Sequence, residues 1–266
     1  MNKKTIYILL VFILIIFAGV LALKNKQAIF QIISKNKTVS DNSLQMSITP
    51  LYESDNFFRI SADYPQFQGV APAFNEKIAN LIKGEIEDFK KNSKENWEAI
   101  KATMPPGENS SENPEQPFEF IALWAPIQLN NQYISIVINI YYFSGGAHGN
   151  EEIYAFNYDL AKQQEITISD FLGSPEALAK IAELSAQNIA INLESKGVPI
   201  DENISQMIKD GTSPISENFK DFNFNRDALT IYFQKYQVAP GAVGSTKVTF
   251  YKDTLKENLI EPSYLK

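Results

Sequence analysis

The chain has 266 residues, 44% hydrophobic and 12% aromatic, which supplies a sizeable core and excludes disorder for its bulk. It has no cysteine, so disulfides, zinc–thiolate sites and thiol catalysis are excluded together. The formal net charge is −7; six lysines and one acid, Asp41, lie in residues 1–46, leaving 18 basic and 30 acidic residues beyond them and a charge of −12 there. An acidic domain of this kind, with no basic stripe, is not expected to bind nucleic acid.

The first element is apolar. Lys3 and Lys4 precede an uncharged, almost wholly aliphatic run from Ile6 to Leu23. At 1.5 Å per residue, about 18 residues make roughly 27 Å, close to the ~30 Å hydrocarbon core of a bilayer. Lys4 and Lys24 can snorkel to close the gap. The run exceeds a signal-peptide core and no A-x-A site follows it, so residues 1–25 read as a retained membrane anchor. Lysines flank it on both sides, but its short N-terminal flank places the long C-terminal part outside the cytoplasmic membrane. Residues 26–46 include "KNKTVSDNSLQ" and read as a polar stalk.

From residue 47 the pattern becomes β. "SITPLYES" and "FFRISADYPQF" are strand candidates around Asp55-Asn56. Phe74, Ile78, Leu81, Ile82, Ile86 and Phe89 then recur at helical spacing, continued by Trp97 and Ile100. Pro72 suits the first turn of that helix, and Pro105-Pro106-Gly107 stops it. "FEFIALWAPIQL" and "QYISIVINIYYF" flank Asn130-Asn131 as a long hairpin, in which Ile134, Ile136, Ile138 and Ile140 mark a core face. "EEIYAFNYDL" and "QEITI" form a further pair, and "SDFL" is expected as a short turn. Ser174 caps a helix with Pro175 at its first position, Leu178 to Leu193 on its inner face and Gly197 at its end. A short helix is expected near Ile204–Ile208, and "FNFNRDALTIYFQKYQVAP" and "TKVTFYK" supply the last strands. The fold class is α+β, with mainly antiparallel sheets and two principal packed helices, preceded by one transmembrane helix.

Two motifs carry a family resemblance. Gly145–His148, Phe156–Leu160 and Ile166–Leu172 form one; Tyr236, Val238–Pro240 and Gly244 form the other. The segment around them resembles the paired outer domains of RsiV-type anti-sigma factors and of PdaC-type peptidoglycan deacetylases, over roughly residues 47–252. The resemblance implies a PdaC-like N-terminal domain over 47–146 and an RsiV-like C-terminal domain over 147–266, packed together as one unit. Gln163-Gln164 stands where the family often has Thr-Gly, which changes the turn. Neither a sigma-binding segment nor a deacetylase domain with metal-binding Asp and His is expected in this sequence. The resemblance therefore implies an anchored envelope domain that binds or senses a cell-wall glycan or a cationic protein such as lysozyme. No catalytic residue, metal site or cofactor is expected; the alternative is a wall hydrolase or deacetylase-like enzyme using His148.

"SGGAH", with the only histidine of the chain, admits three readings. Ser144 with His148 and Asp159 can be read as a nucleophile, base and orienting acid, although the serine does not sit between the glycines as in a nucleophile elbow. His148 with Glu151 and Glu152 can be read as a metal site, though one histidine is thin for zinc. The favoured reading is a corner: Gly145 and Gly146 supply positive φ, His148 satisfies backbone groups, and Asp159 makes an Asx turn. A ligand-binding role for that corner stays open, with Tyr142, Ser144, Gly145, Gly146, His148, Asp159 and Tyr236 as its candidate residues. The topology is checked with intact spheroplasts: added protease is expected to remove residues 47–266, and their full protection would place the domain on the cytoplasmic side.

Overall fold

A computed structural model describes residues 44–105, 112–146, 148–258 and 262–265. The expected anchor and all but the end of the stalk lie outside the described residues. Among the described residues no helix is long and apolar enough to cross a membrane.

Strands β1 (Met46–Ser54) and β2 (Phe58–Phe67) form a hairpin whose turn is tied by the Asp55 carboxylate, which accepts from the Phe57 and Phe58 amides. Helix α1 (Pro72–Thr103) then crosses over to β3 (Phe118–Leu129), which pairs parallel with β2. That one parallel pairing follows from the length of the connection: two strands joined through a helix can lie side by side in the same direction. Strands β4 (Tyr133–Phe143), β5 (Asn150–Asp159) and the two-residue β6 (Gln164–Glu165) add antiparallel pairs, giving a six-stranded sheet in sequence order. The sheet thus runs on past residue 146 to Glu165. Phe74, Ile78, Ile82, Phe89 and Trp97 bury the inner stripe of α1 against one face of this sheet.

"SDFL" is not a turn but part of a helix, α2 (Ile168–Leu172). Thr167 and Asp170 close a capping box at its start, and Gly173 ends it at φ 78°. Helices α3 (Pro175–Ser195) and α4 (Glu202–Gly211) follow, capped by Ser174 and Asp201. A three-stranded antiparallel sheet of β7 (Phe222–Phe224), β8 (Ala228–Phe233) and β9 (Thr246–Tyr251) buries Phe222, Phe224, Ile231, Phe233 and Phe250 in a second core shared with these helices. Helix α5 (Lys252–Glu257) follows β9 and is itself followed by a 3-10 turn at Ser263–Leu265. Its six residues, "KDTLKE", bury only Leu255 and show no periodic stripe.

The two sheets meet through polar groups. The first half of β4 is buried on both faces: its isoleucines face α1, while Ser135 and Val137 lie buried on the other side. The Ser135 hydroxyl donates to Asn157 Oδ1 at 2.7 Å and accepts from Asn223 Nδ2 at 3.0 Å and from the Phe224 amide at 3.2 Å. Asn223 also donates to the Ile136 carbonyl at 2.9 Å, and Asn157 donates to the Phe222 carbonyl at 2.6 Å. A buried polar group left without its partner costs about 1–3 kcal/mol. Asn223→Ala strips partners from both Ser135 and Ile136, so it is expected to lower unfolding free energy by about that amount. Urea denaturation should show the midpoint falling with the slope unchanged; an unmoved midpoint would mean that the Asn223 contacts contribute nothing to docking of the sheets.

Candidate binding cleft beside the second sheet

The SGGAH corner is docked on the end of α1. Asn96 donates to both the carbonyl and the hydroxyl of Ser144 at 3.2 Å. Gly145 and Gly146 both have φ 96°. A Cβ built on Gly145 would lie 3.2 Å from Ile100 Cδ1 and 3.4 Å from a Phe118 ring carbon, so the close approach as well as the left-handed φ requires glycine. His148 is exposed, with Nδ1 3.0 Å from the Gly149 carbonyl.

The hydrolytic arrangement does not form. Among the described residues no hydrogen bond joins Ser144 to His148. Asn150 and Asp159 stand at opposite ends of β5, opposite Tyr142 and Tyr133. Nine steps of a strand span about 30 Å, so Asp159 cannot orient an imidazole at the corner. Asp159 is buried and accepts from the Ala161 and Lys162 amides at 3.0 and 2.9 Å, an Asx turn. Glu151 and Glu152 are neighbours on a strand and point to opposite faces. Among the described residues no group of three or more His, Asp or Glu is placed to hold a metal ion.

Tyr142 and Tyr236, by contrast, line one cleft of about 380 Å³, together with Asn150, Glu152, Tyr154 and Lys235. A second space of about 420 Å³, lined by Tyr142, Ser144, Glu152 and the α1 residues Glu85, Asp88 and Asn92, adjoins it across Tyr142 and Glu152. The structure thus brings together Tyr142 with Tyr236, and Tyr142 with Ser144. It leaves His148 in solvent and Asp159 at the far end of the sheet.

Strand geometry explains the cleft. Glu152 and Tyr154 continue the helix-side face of β5 that begins with Tyr158 and Phe156. Along that face the apolar contact with α1 gives way to Tyr154, whose hydroxyl meets Glu85 Oε1 at 2.6 Å and also Glu152 Oε2. Tyr142 donates to Glu152 Oε1 at 3.3 Å. Burial chiefly, and then the two carboxylates, push the Tyr154 hydroxyl far above its ordinary range. Burial and Glu152 push Tyr142 up to about 12.

The opposite wall is built from side chains that complete the free edge of β5. The Gln234 amide makes a two-way pair with the Ile153 peptide: Nε2 donates to its carbonyl, and Oε1 accepts from its N–H at 3.2 Å. Gln234 also donates to Asp221 Oδ2 at 3.0 Å, and Asp221 Oδ1 accepts from the Ala155 amide at 3.2 Å. Burial raises the Asp221 carboxyl above its usual range. Tyr236 follows in a left-handed conformation, φ 70°, exposed at 65%. The Gln237 amide donates to the Gln234 carbonyl at 3.0 Å, closing the turn that presents it. A Cβ on Gly241 would lie 2.2 Å from Tyr236 Cζ, so the bare glycine gives the ring its seat.

Glu85, Asp221, Gln234 and Lys235 are not among the residues expected from the sequence. Glu85 carried a signal: it falls three after Ile82 and four before Phe89, on the apolar stripe of α1. Asp221 and Gln234 carried none, because their partners are backbone groups more than 60 residues away.

The Glu85 carboxyl is held above its ordinary value of 4.5, chiefly by burial and further by Glu152 and Asp88, while the Tyr154 hydroxyl opposes the rise. A raised folded value means the native state binds the proton more tightly than the unfolded chain. Stability from this group is therefore full below about pH 4.5 and lost as pH rises through the raised value. Glu85→Gln cannot ionise. Its melting temperature should match the parent near pH 4 and exceed it increasingly towards pH 7; parallel curves would refute the assignment.

Residues 51–151 match the family model described as Deacetylase PdaC, and residues 165–253 match that described as Protein of unknown function (DUF3298). The chain is 28% identical over 232 residues to the peptidoglycan-N-acetylmuramic acid deacetylase PdaC of Bacillus subtilis (strain 168), covering 85% of this chain and 44% of that protein. It therefore spans less than half the length of that relative. A solved structure of a DUF3298 family member from Bacteroides fragilis superposes with a TM-score of 0.56 at 15% identity, over 85% of this chain and 96% of that one, a likeness of fold. A DUF3298 family protein from Pseudomonas aeruginosa gives a TM-score of 0.48 at 16% identity, over 84% and 93%. The PdaC match followed by the DUF3298 match, on one described fold, makes this chain similar to proteins that pair these two domains.

Proposed function

We propose that this protein is a membrane-anchored module of the bacterial cell envelope that binds peptidoglycan-derived fragments in the cleft between Tyr142 and Tyr236. One observation carries the reading: a cleft of about 380 Å³ combines three tyrosine rings with fixed polar groups at Asn150, Glu152 and Lys235. Concave sites that pair ring surface with a few placed polar groups are suited to small ligands with one apolar and one hydroxylated face. The name of the Bacillus subtilis relative places peptidoglycan in that protein's chemistry, which favours the same polymer here. In this reading the run Ile6–Leu23 holds the module at the outer face of the cytoplasmic membrane.

A second reading, a cationic envelope protein such as lysozyme, is favoured by the formal charge of −12 beyond residue 46. Salt separates the two. An association driven by net charge should fade as the screening length falls from about 10 Å at 0.1 M to about 3 Å at 1 M, whereas a contact site keeps much of its affinity. Calorimetry of the full chain with a disaccharide-peptide from the wall is expected to show saturable heat that persists in salt. Tyr236→Ala should weaken it on the order of tenfold, about 1.4 kcal/mol. No heat with the wall fragment, together with salt-sensitive binding of lysozyme, would transfer the function to the second reading. Turnover of the fragment that His148→Ala abolishes would replace binding by catalysis.

A further inference from the structure

Two opposite charges share the cleft without neutralising each other. Lys235 Nζ donates to Asn150 Oδ1 at 2.9 Å and lies 5.2 Å from the centroid of the Tyr236 ring. Among the described residues it has no carboxylate within ion-pair distance. Glu152 is held by the hydroxyls of Tyr142 and Tyr154, and among the described residues it has no lysine or arginine within that distance. Of the other charges lining the cleft, Glu151 is exposed and points to the opposite face of β5 from Glu152, and the remaining two are engaged. Lys220 is paired with Glu217 at 2.5 Å, and Asp221 is tied to Gln234 and the Ala155 amide.

Neutral partners fix each charge on its own wall. Lys235 is held by an amide oxygen and a ring face, and Glu152 by two phenols. An exposed ion pair between two such side chains would stabilise the fold by about 0–1 kcal/mol at most, so keeping them apart costs little. What the separation provides is a cleft with a positive and a negative wall and tyrosines beside both. Charge complementarity of this kind selects a ligand and fixes its orientation.

We propose, resting on the wall-fragment reading above, that the cleft recognises the zwitterionic peptide portion of a wall fragment, with Lys235 receiving a carboxylate and Glu152 an ammonium group. The glycan then lies outside the charged part of the site and contributes less to affinity than the peptide.

The test uses the full chain and three probes in calorimetry: a disaccharide-tripeptide, the tripeptide alone (alanyl-γ-glutamyl-diaminopimelate) and the peptide-free disaccharide. The tripeptide should bind within about threefold of the complete fragment, and the disaccharide at least tenfold more weakly. Lys235→Met and Glu152→Gln should each weaken the tripeptide about tenfold or more. Acetylating its ammonium groups should weaken binding to the parent protein and to Lys235→Met, yet leave Glu152→Gln unchanged. Melting temperatures check that both variants are folded; should Glu152→Gln fail to fold, amidated tripeptide against Lys235→Met gives the same cycle from the other wall. Disaccharide binding as tight as that of the complete fragment, with no heat from the tripeptide, would overturn this inference and leave wall-fragment binding standing. Heat from none of the probes would overturn both. Equal losses on acetylation in the parent and in Glu152→Gln would remove Glu152 from the role given to it.

Discussion

One buried hydroxyl fixes how the two sheets sit. Ser135 has a single proton and two lone pairs, and all three are used: one bond goes out to Asn157, and two come in from Asn223 and Phe224. Its position on β4, the strand at the centre of the first core, makes this a docking point rather than a local detail. An apolar contact there would tolerate sliding, because hydrophobic burial is non-directional. A saturated hydroxyl between two asparagines does not. Shifting β7 by one residue would exchange Asn223 for phenylalanine at the contact, removing both donors to Ser135 and the carbonyl that accepts from Asn157.

The same constraint sets the cleft. Beyond Asn157, strand β5 has no neighbouring strand on its outer side, since β6 pairs only with Tyr158 and Asp159. Unpaired strand edges invite association with other chains. Here Asn157, Asp221 and Gln234 close the edge in turn: Asn157 reaches Phe222, while Asp221 and Gln234 reach Ala155 and Ile153. The chain leaving Gln234 must then pass directly beside the end of β5 that carries Asn150 and Glu152. Lys235 and Tyr236 are carried there by that connection. The cleft is therefore a consequence of edge protection, and its walls come from segments more than 80 residues apart.

Local signals were legible in the sequence, and pairing across the sheets was not. The stripe of α1, the isoleucine alternation of β4, the Asn130-Asn131 hairpin and the Ser174-Pro175 cap each depend on neighbours within a few residues. The "SDFL" helix was missed because five residues are too few to show a period, although Thr167 and Asp170 are spaced as a capping box. The parallel β2–β3 pair depends on a connection of some fifty residues, which strand patterning does not register. The same limit governed the site. The glycine corner was visible because only glycine takes φ 96° without strain, and the Asx turn of Asp159 because it is local. Drawing Asp159 and His148 into one constellation treated closeness in sequence as closeness in space, and a ten-residue strand separates them.

Three exceptions to local rules gather around Tyr142, apart from the left-handed Gln163, φ 54°, in the β5–β6 turn. A carboxylate, Glu85, interrupts the apolar stripe of α1 and is pushed towards its neutral form by burial. A tyrosine takes a left-handed backbone that side chains adopt at a cost of order 1 kcal/mol. Glu152 and Lys235 occupy one cleft without pairing. The first two departures cost stability that a chain selected only for folding would recover by a simple substitution, such as leucine at 85 or glycine at 236; the third costs little. Their convergence on the two adjoining spaces that share Tyr142 and Glu152 is the pattern expected when a site is retained for what it binds.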